Sequence, residues 1–171
     1  MNSLVNIIGT GAMTCVGLDA VQTASSVRAG LSRLREIDWQ GQDGNPFRGG
    51  FLPDDCLEGL NRKTVEILPD SVPARILQLG APPLREVAED LPEAPEGFPV
   101  IVGIGHQDQL PEASPELFLD NLLRQAQMKI NLEASEVVVA GRVAGLMAVH
   151  RACLRLAQGL PGPIIAGGID S

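Results

Sequence analysis

The stretch VVVAGRVAGLMAVHRACLRLA, Val137–Ala157, changes its periodicity in the middle. It opens on a run of valines, the mark of a buried strand. From Val143 the apolar residues recur at helical spacing. Between the two halves stand Ala140 and Gly141, so a strand is predicted to turn sharply into a helix. Corners of this kind commonly present a Cys or Ser at a helix N-terminus, and here the residue is Arg142.

Outward from this corner the chain alternates strands and helices. EVVVA (136–140) is read as a strand, 143–158 as the helix and PIIAGG (163–168) as the next strand. Upstream, PVIVGIG (99–105) reads as a strand. ASPELFLDNLLRQAQMKI reads as a helix with Ser114 as N-cap and Pro115 at its first position, with Glu112 and Glu116 near its start. Residues 72–91 have a helical apolar face, which Pro82 and Pro83 are expected to break or kink. Residues 31–71 read as an irregular insertion with short helices around Leu57–Leu60. Asp19 is expected to open a helix ending near Ala29, and LVNIIG (4–9) is expected to be a first buried strand. The order predicts one α/β domain over residues 1–171, with a largely parallel sheet and helices on both faces.

Composition narrows the function. Of the 171 residues 44% are hydrophobic and 20% charged, with 3% aromatic and no Tyr, so Val, Ile, Leu and Ala must fill the core. The formal net charge of −8 argues against nucleic acid, anionic membranes and very acidic carriers unless a local basic patch exists. Arg28, Arg33 and Arg35 could form one, although scattered solvated charges are the favoured reading. Cys15, Cys56 and Cys153 are odd in number and widely spaced, and only His106 and His150 could join them in a metal site. Neither a disulfide framework nor a metal is expected. The opening MNSLVNIIGTG has no basic n-region or long apolar h-region, and no apolar run has spanning length, so a reducing cytoplasm is the expected compartment.

Three stretches could carry chemistry. GTGAMTCVG opens like a dinucleotide fingerprint, but Thr14 fills the third Gly position and the helix starts late, so a tight turn is the favoured reading. A nucleotide-binding module is the least favoured of the functional readings. His106, at a strand end in GIGHQDQL, could act as a general base, although a surface His is the simpler reading. His150 and Cys153 lie mid-helix and read as partly buried packing residues. Cys15 reads as the most exposed thiol, with nothing nearby to activate it.

The third stretch carries a resemblance. IIGTGAMTCVGLDAVQTASSVRAG resembles the N-terminal signature of the β-ketoacyl synthases of the thiolase superfamily, with its strand, GxG-type loop, Thr-Pro-x-Gly corner and helix ending Ala-Gly. GRVAGLMAVHRACLRLAQGLPGPIIAGGIDS resembles that family's nucleophile helix and the following strand ending Ala-Gly-Gly, and PVIVGIG fits the strand between. Counted back from Gly167-Gly168 without gaps, the family's catalytic Cys falls on Arg142, and Gly145 falls on a Gly common three residues later. Cys15 falls on the Pro of the corner, so it is no displaced nucleophile.

The resemblance implies one half of a thiolase-like layered fold and acyltransferase chemistry of fatty acid or polyketide biosynthesis, with no cofactor. It also implies a degenerate active site. The family's thiolate is favoured by the helix dipole and holds an acyl thioester, whereas a guanidinium is always protonated and cannot attack a carbonyl. No catalytic residue is assigned; Arg142 marks the nucleophile position, and Gly141, Gly145 and His106 are candidates for a vestigial pocket. Arg142 either turns into water or pairs with a carboxylate, the favoured reading, or it holds a ligand anion. The family's catalytic His or His/Asn residues come from a second half for which this chain has no counterpart. The expectation is therefore a non-condensing structural or acyl-binding protein, paired as a homodimer or with a missing C-terminal half. The family dimerises through the strand matching Glu136–Ala140, and an acyl carrier protein or CoA thioester is the implied ligand. The alternative is an acyltransferase on acyl-carrier or CoA thioesters when complete. A chain that stops at GGIDS, directly after a strand, also predicts that something follows or docks there.

Overall fold

The computed structural model describes residues 4–61, 63, 71–89, 91, 92, 94–106 and 115–170. The elements in order are α1 (Ala20–Arg28), β1 (Leu34–Gln40), β2 (Pro46–Gly50), α2 (Val72–Glu89), β3 (Val100–Ile104), α3 (Pro115–Ala126), β4 (Glu136–Val139), α4 (Ala144–Ala157) and β5 (Ile165–Ile169). Ser114 and Glu112 lie outside the described residues.

The centre is a three-stranded parallel sheet in the order β4-β3-β5. Val102 of β3 stands opposite Val137 on one side and Gly167 on the other. All five residues of β3 are buried, which explains why its sequence is an apolar run without alternation. Even so, its two faces differ. Val100, Val102 and Ile104 join Ile76, Leu77 and Leu84 of α2 and Phe118, Leu119 and Leu122 of α3 in one cluster. Ile101 joins Val138 with Ala148 and Ala152 of α4 in another. The chain is thus α/β with helices on both faces of the sheet. The buried Gln125 amide is accounted for on the α2–α3 side. Gln125 accepts from the Asn61 amide at 2.8 Å and donates to the Gly59 carbonyl at 3.1 Å, tying the preceding loop to α3.

Several expectations need correction. α2 runs unbroken through Pro82 and Pro83. The two prolines remove the donors for the carbonyls of Gln78 and Leu79, but buried Ile76, Leu77, Ala81 and Leu84 hold both sides of the gap against the core. Residues 31–71 are not simply irregular. They contain the antiparallel hairpin β1–β2, with a bulge between Glu36 and Gln40. Its turn is set by Asp43, which accepts from the Asn45 side chain at 2.8 Å; that bond holds the Asp43 carboxyl below its ordinary value. The short helix sits at Asp54–Cys56 rather than Leu57–Leu60.

The largest correction concerns LVNIIG. It forms no strand, and Leu4 and Ile7 are 90% and 86% exposed. β-branched composition makes a strand only where a neighbouring edge can take the hydrogen bonds. Here the segment pairs with no strand among the described residues, and with β5 it lines a cavity of about 940 Å³.

What anchors the N-terminal region is a single carboxylate. Glu86 of α2 accepts from the Ala12 amide at 2.9 Å and from the Ala20 amide, at the start of α1, at 2.8 Å. Asp19 caps the same helix by accepting from Gln22 at 2.6 Å. The Thr14–Gly17 turn closes on itself and packs so tightly on α1 that a Cβ at Gly17 would lie 2.3 Å from the Thr23 nitrogen. Glu86→Ala is expected to lower stability by about 2 kcal/mol, since two partly buried amides lose a charged acceptor. Hydrogen exchange should quicken at Ala12 and Ala20 first; unchanged exchange there would show that the carboxylate is not the tie.

Candidate functional site

The carboxyl ends of parallel strands are where α/β sheets place their sites. At that edge β4 ends at Val139, and the backbone turns through Ala140 into Gly141, whose φ of +58° favours glycine. One 3₁₀ turn, Gly141–Val143, leads directly into α4. The Gly141 amide donates to the Gly105 carbonyl at 3.0 Å, and the Ala140 amide to the Ile104 carbonyl at 3.4 Å. The corner is thereby fixed beside the end of β3.

The helix can leave this corner only because three glycines meet beneath it. A Cβ at Gly103 would lie 2.3 Å from the Ala144 carbonyl carbon and oxygen. A Cβ at Gly168 would lie 2.9 Å from the Gly145 Cα, and one at Gly145 would lie 3.3 Å from the Gly168 Cα. Small residues continue along the seam, where Ala144, Ala148 and Ala152 are the buried residues of α4. The function of this spacing is close packing of helix on sheet, which sets the height of the helix N-terminus above the strand ends.

Arg142 occupies the first turn after β4, as the sequence places it. It is solvent-exposed, and among the described residues its guanidinium has no hydrogen-bond or ion-pair partner. Of the two ways to accommodate the cation, the structure shows solvation rather than pairing. His106 is also exposed and follows Gly105, so the backbone bond to Gly141 brings it to the same strand-end edge. Gly141 and Gly145 belong to the corner itself. All four residues singled out from the sequence therefore share one end of the sheet.

No thiol is part of this corner. Cys15 lies in the Thr14–Gly17 turn against Gly50 and is half-buried, as Cys56 and Cys153 are. Cys56 ends the short 3₁₀ turn at 54–56. Cys153 lies half-buried on the flank of α4 that lines the cavity. His150 is exposed on the outer face of α4, where partial burial was expected. The basic cluster does not change this picture, since Arg28, Arg33 and Arg35 are exposed around α1 and β1. Among the described residues no three His, Cys, Asp or Glu side chains gather to hold a metal ion, and no helix is long and apolar enough to cross a membrane.

The Gly-rich loop is built for packing. Asp19 and Glu86 already supply carboxylates to the amides at the start of α1, where a pyrophosphate would have to bind. The sequence reading missed Glu86, whose partners lie far away along the chain and leave no local signal. It also missed the role of Gly103, which a strand reading treats as one more small residue.

The far side of α4 and the edge of β4 are apolar and open. Val139, Val143, Leu146, Met147 and Leu154 are all exposed, and Leu146 is 75% so. Among the described residues β4 pairs only with β3, and no strand lies on its other edge. No protein-family model and no curated protein matches the chain.

Proposed function

We propose that this chain is a β-ketoacyl-synthase-like protein, corresponding to the N-terminal half of a thiolase-like fold, that does not condense acyl groups and serves a structural or acyl-binding role. The observation that carries the reading is the corner. The turn, the tight glycine seam and the helix start suit a nucleophile, and the residue standing there is an exposed arginine with no partner among the described residues. An exposed, permanently charged guanidinium cannot form a thioester. Support for the family comes from the motif spacing together with a parallel sheet in which Ala166-Gly167-Gly168 lies within β5.

Pairing follows from the same reading. The open edge of β4 and the exposed apolar stripe Val143, Leu146, Met147 and Leu154 are both suited to contact with a second copy. The proposed setting is the cytoplasm, on the grounds of three scattered cysteines.

Incubation with a medium-chain acyl-CoA followed by intact mass spectrometry tests the function. The expected spectrum is that of the unmodified chain. A stoichiometric acyl adduct would contradict the proposal, and its mapped position would name the nucleophile. Arg142→Ala is expected to change stability by less than about 1 kcal/mol, because an exposed side chain contributes little. A larger loss in urea unfolding would mean that the guanidinium is held.

A further inference from the structure

The 940 Å³ cavity has an unusual boundary. One wall is α2, with Leu79, Leu84 and Val87; the other is α4, with Val149, Cys153 and Leu156. It is also lined by β5 and by the segment from Leu4 to Gly9, which has no regular secondary structure. Two helix walls with a strand edge between them are the surroundings of a strand inside a three-layer α/β domain.

The hydrogen-bonding phase of β5 sharpens this. The Ile165 amide donates to the Pro99 carbonyl at 3.0 Å, so Ile165, Gly167 and Ile169 turn their backbone groups toward β3. By alternation Ala166 and Gly168 turn theirs toward the cavity, and both line it. No strand lies beyond β5 among the described residues. An apolar ligand such as an acyl chain would fit the walls but would bury these donors and acceptors unpaired, at a free-energy cost. A polypeptide satisfies both.

We propose that the groove between β5 and the Leu4–Gly9 segment is a strand-acceptor site, filled by one extended, apolar, uncharged segment donated by a partner polypeptide. The five residues of β5, Ile165–Ile169, set the length of the pairing. The donated side chains alternate between the α2 wall and the α4 wall, so both of its faces are apolar. Leu4, Ile7 and Ile8, exposed without it, gain a neighbour on their side of the groove. This site lies on the opposite edge of the sheet from β4 and makes no use of Arg142.

The test uses the peptide carboxyfluorescein-Gly-Gly-Ala-Val-Ala-Val-Ile-Val-amide with the whole chain. Fluorescence polarisation should show saturable binding. Hydrogen exchange of the Ala166 and Gly168 amides should slow by about tenfold or more on addition of peptide. Ala166→Pro removes an outward donor while leaving the bonds to β3, since proline is tolerated on a strand edge; peptide affinity should fall about tenfold or more with an unchanged circular dichroism spectrum. A peptide with proline at its centre gives the same check on the unaltered chain and should not bind. The proposal is overturned if the peptide fails to saturate, or if protection falls on β4 alone. It is equally overturned if a medium-chain fatty acid occupies the groove and excludes the peptide, or if Leu4–Ile8 and β5 already protect each other in the chain alone.

Discussion

Gly103→Val is expected to destabilise the chain by about 4 kcal/mol, enough to remove most of the stability of an ordinary domain. The first added carbon would sit 2.3 Å from the Ala144 backbone, a distance that no rotamer change relieves, because the obstacle is main chain on both sides. Either α4 lifts from the sheet or β3 shifts. Both break the buried seam of Ala144, Ala148 and Ala152. Gly103→Ala carries the same clash without the extra methyl groups and is expected to cost somewhat less. Urea unfolding followed by circular dichroism measures both. A loss under about 1 kcal/mol for the valine variant would mean that α4 is not seated on β3 as described.

Phe118→Ala is expected to cost about 3–5 kcal/mol. Phe118 is fully buried between α2, α3 and the sheet, in a chain with only four phenylalanines to fill its core. The surrounding side chains are Leu, Ile and Val that already pack against one another, so the vacated volume collapses only in part. Its neighbour Leu117 is 41% exposed and supplies the control, since Leu117→Ala should stay within about 1 kcal/mol. Equal losses for the two would place the core elsewhere on the helix.

The contrast between these residues shows how much of the fold is legible in the sequence. β3, β4, β5, α3 and α4 follow from apolar runs and helical periodicity, because a strand buried on both faces and a helix on its surface leave strong local signals. LVNIIG carries as strong a strand signal as any of them, yet it stays exposed. Strand formation needs a neighbour, and the presence of a neighbour is not a local property. The same holds for Pro82 and Pro83, which break helices in isolation but are overridden where buried residues flank them on both sides. The hairpin at 34–50 was hidden by its sequence, which mixes charges with Trp39 and Phe47 and shows no alternation. At the site, Gly141 and Arg142 could be placed from the pattern alone. Their linkage to Gly105 and His106 could not, because it depends on which strand neighbours β4.

The reading of the site also explains why so much apolar surface is open. α1 buries no residue, and Val21, Val27, Leu31 and Leu34 are exposed around it. A lone chain with patches of this extent is expected to associate. Among the described residues both edges of the sheet lack a partner strand, and they separate that association into distinct parts, with a second copy proposed at β4 and a donated strand at β5.

The central claim is that the corner after β4 is a nucleophile's seat now held by a cation. Arg142→Cys tests it most directly. Alkylation of the introduced thiol with iodoacetamide is followed across pH and mapped by peptide mass spectrometry. A seat at the start of α4 should stabilise the thiolate, so the reaction midpoint should fall about one unit or more below the ordinary cysteine value of about 8.5. A midpoint at or above that value would mean that the corner does nothing for a thiolate, and the resemblance to a disarmed condensing enzyme would lose its physical basis.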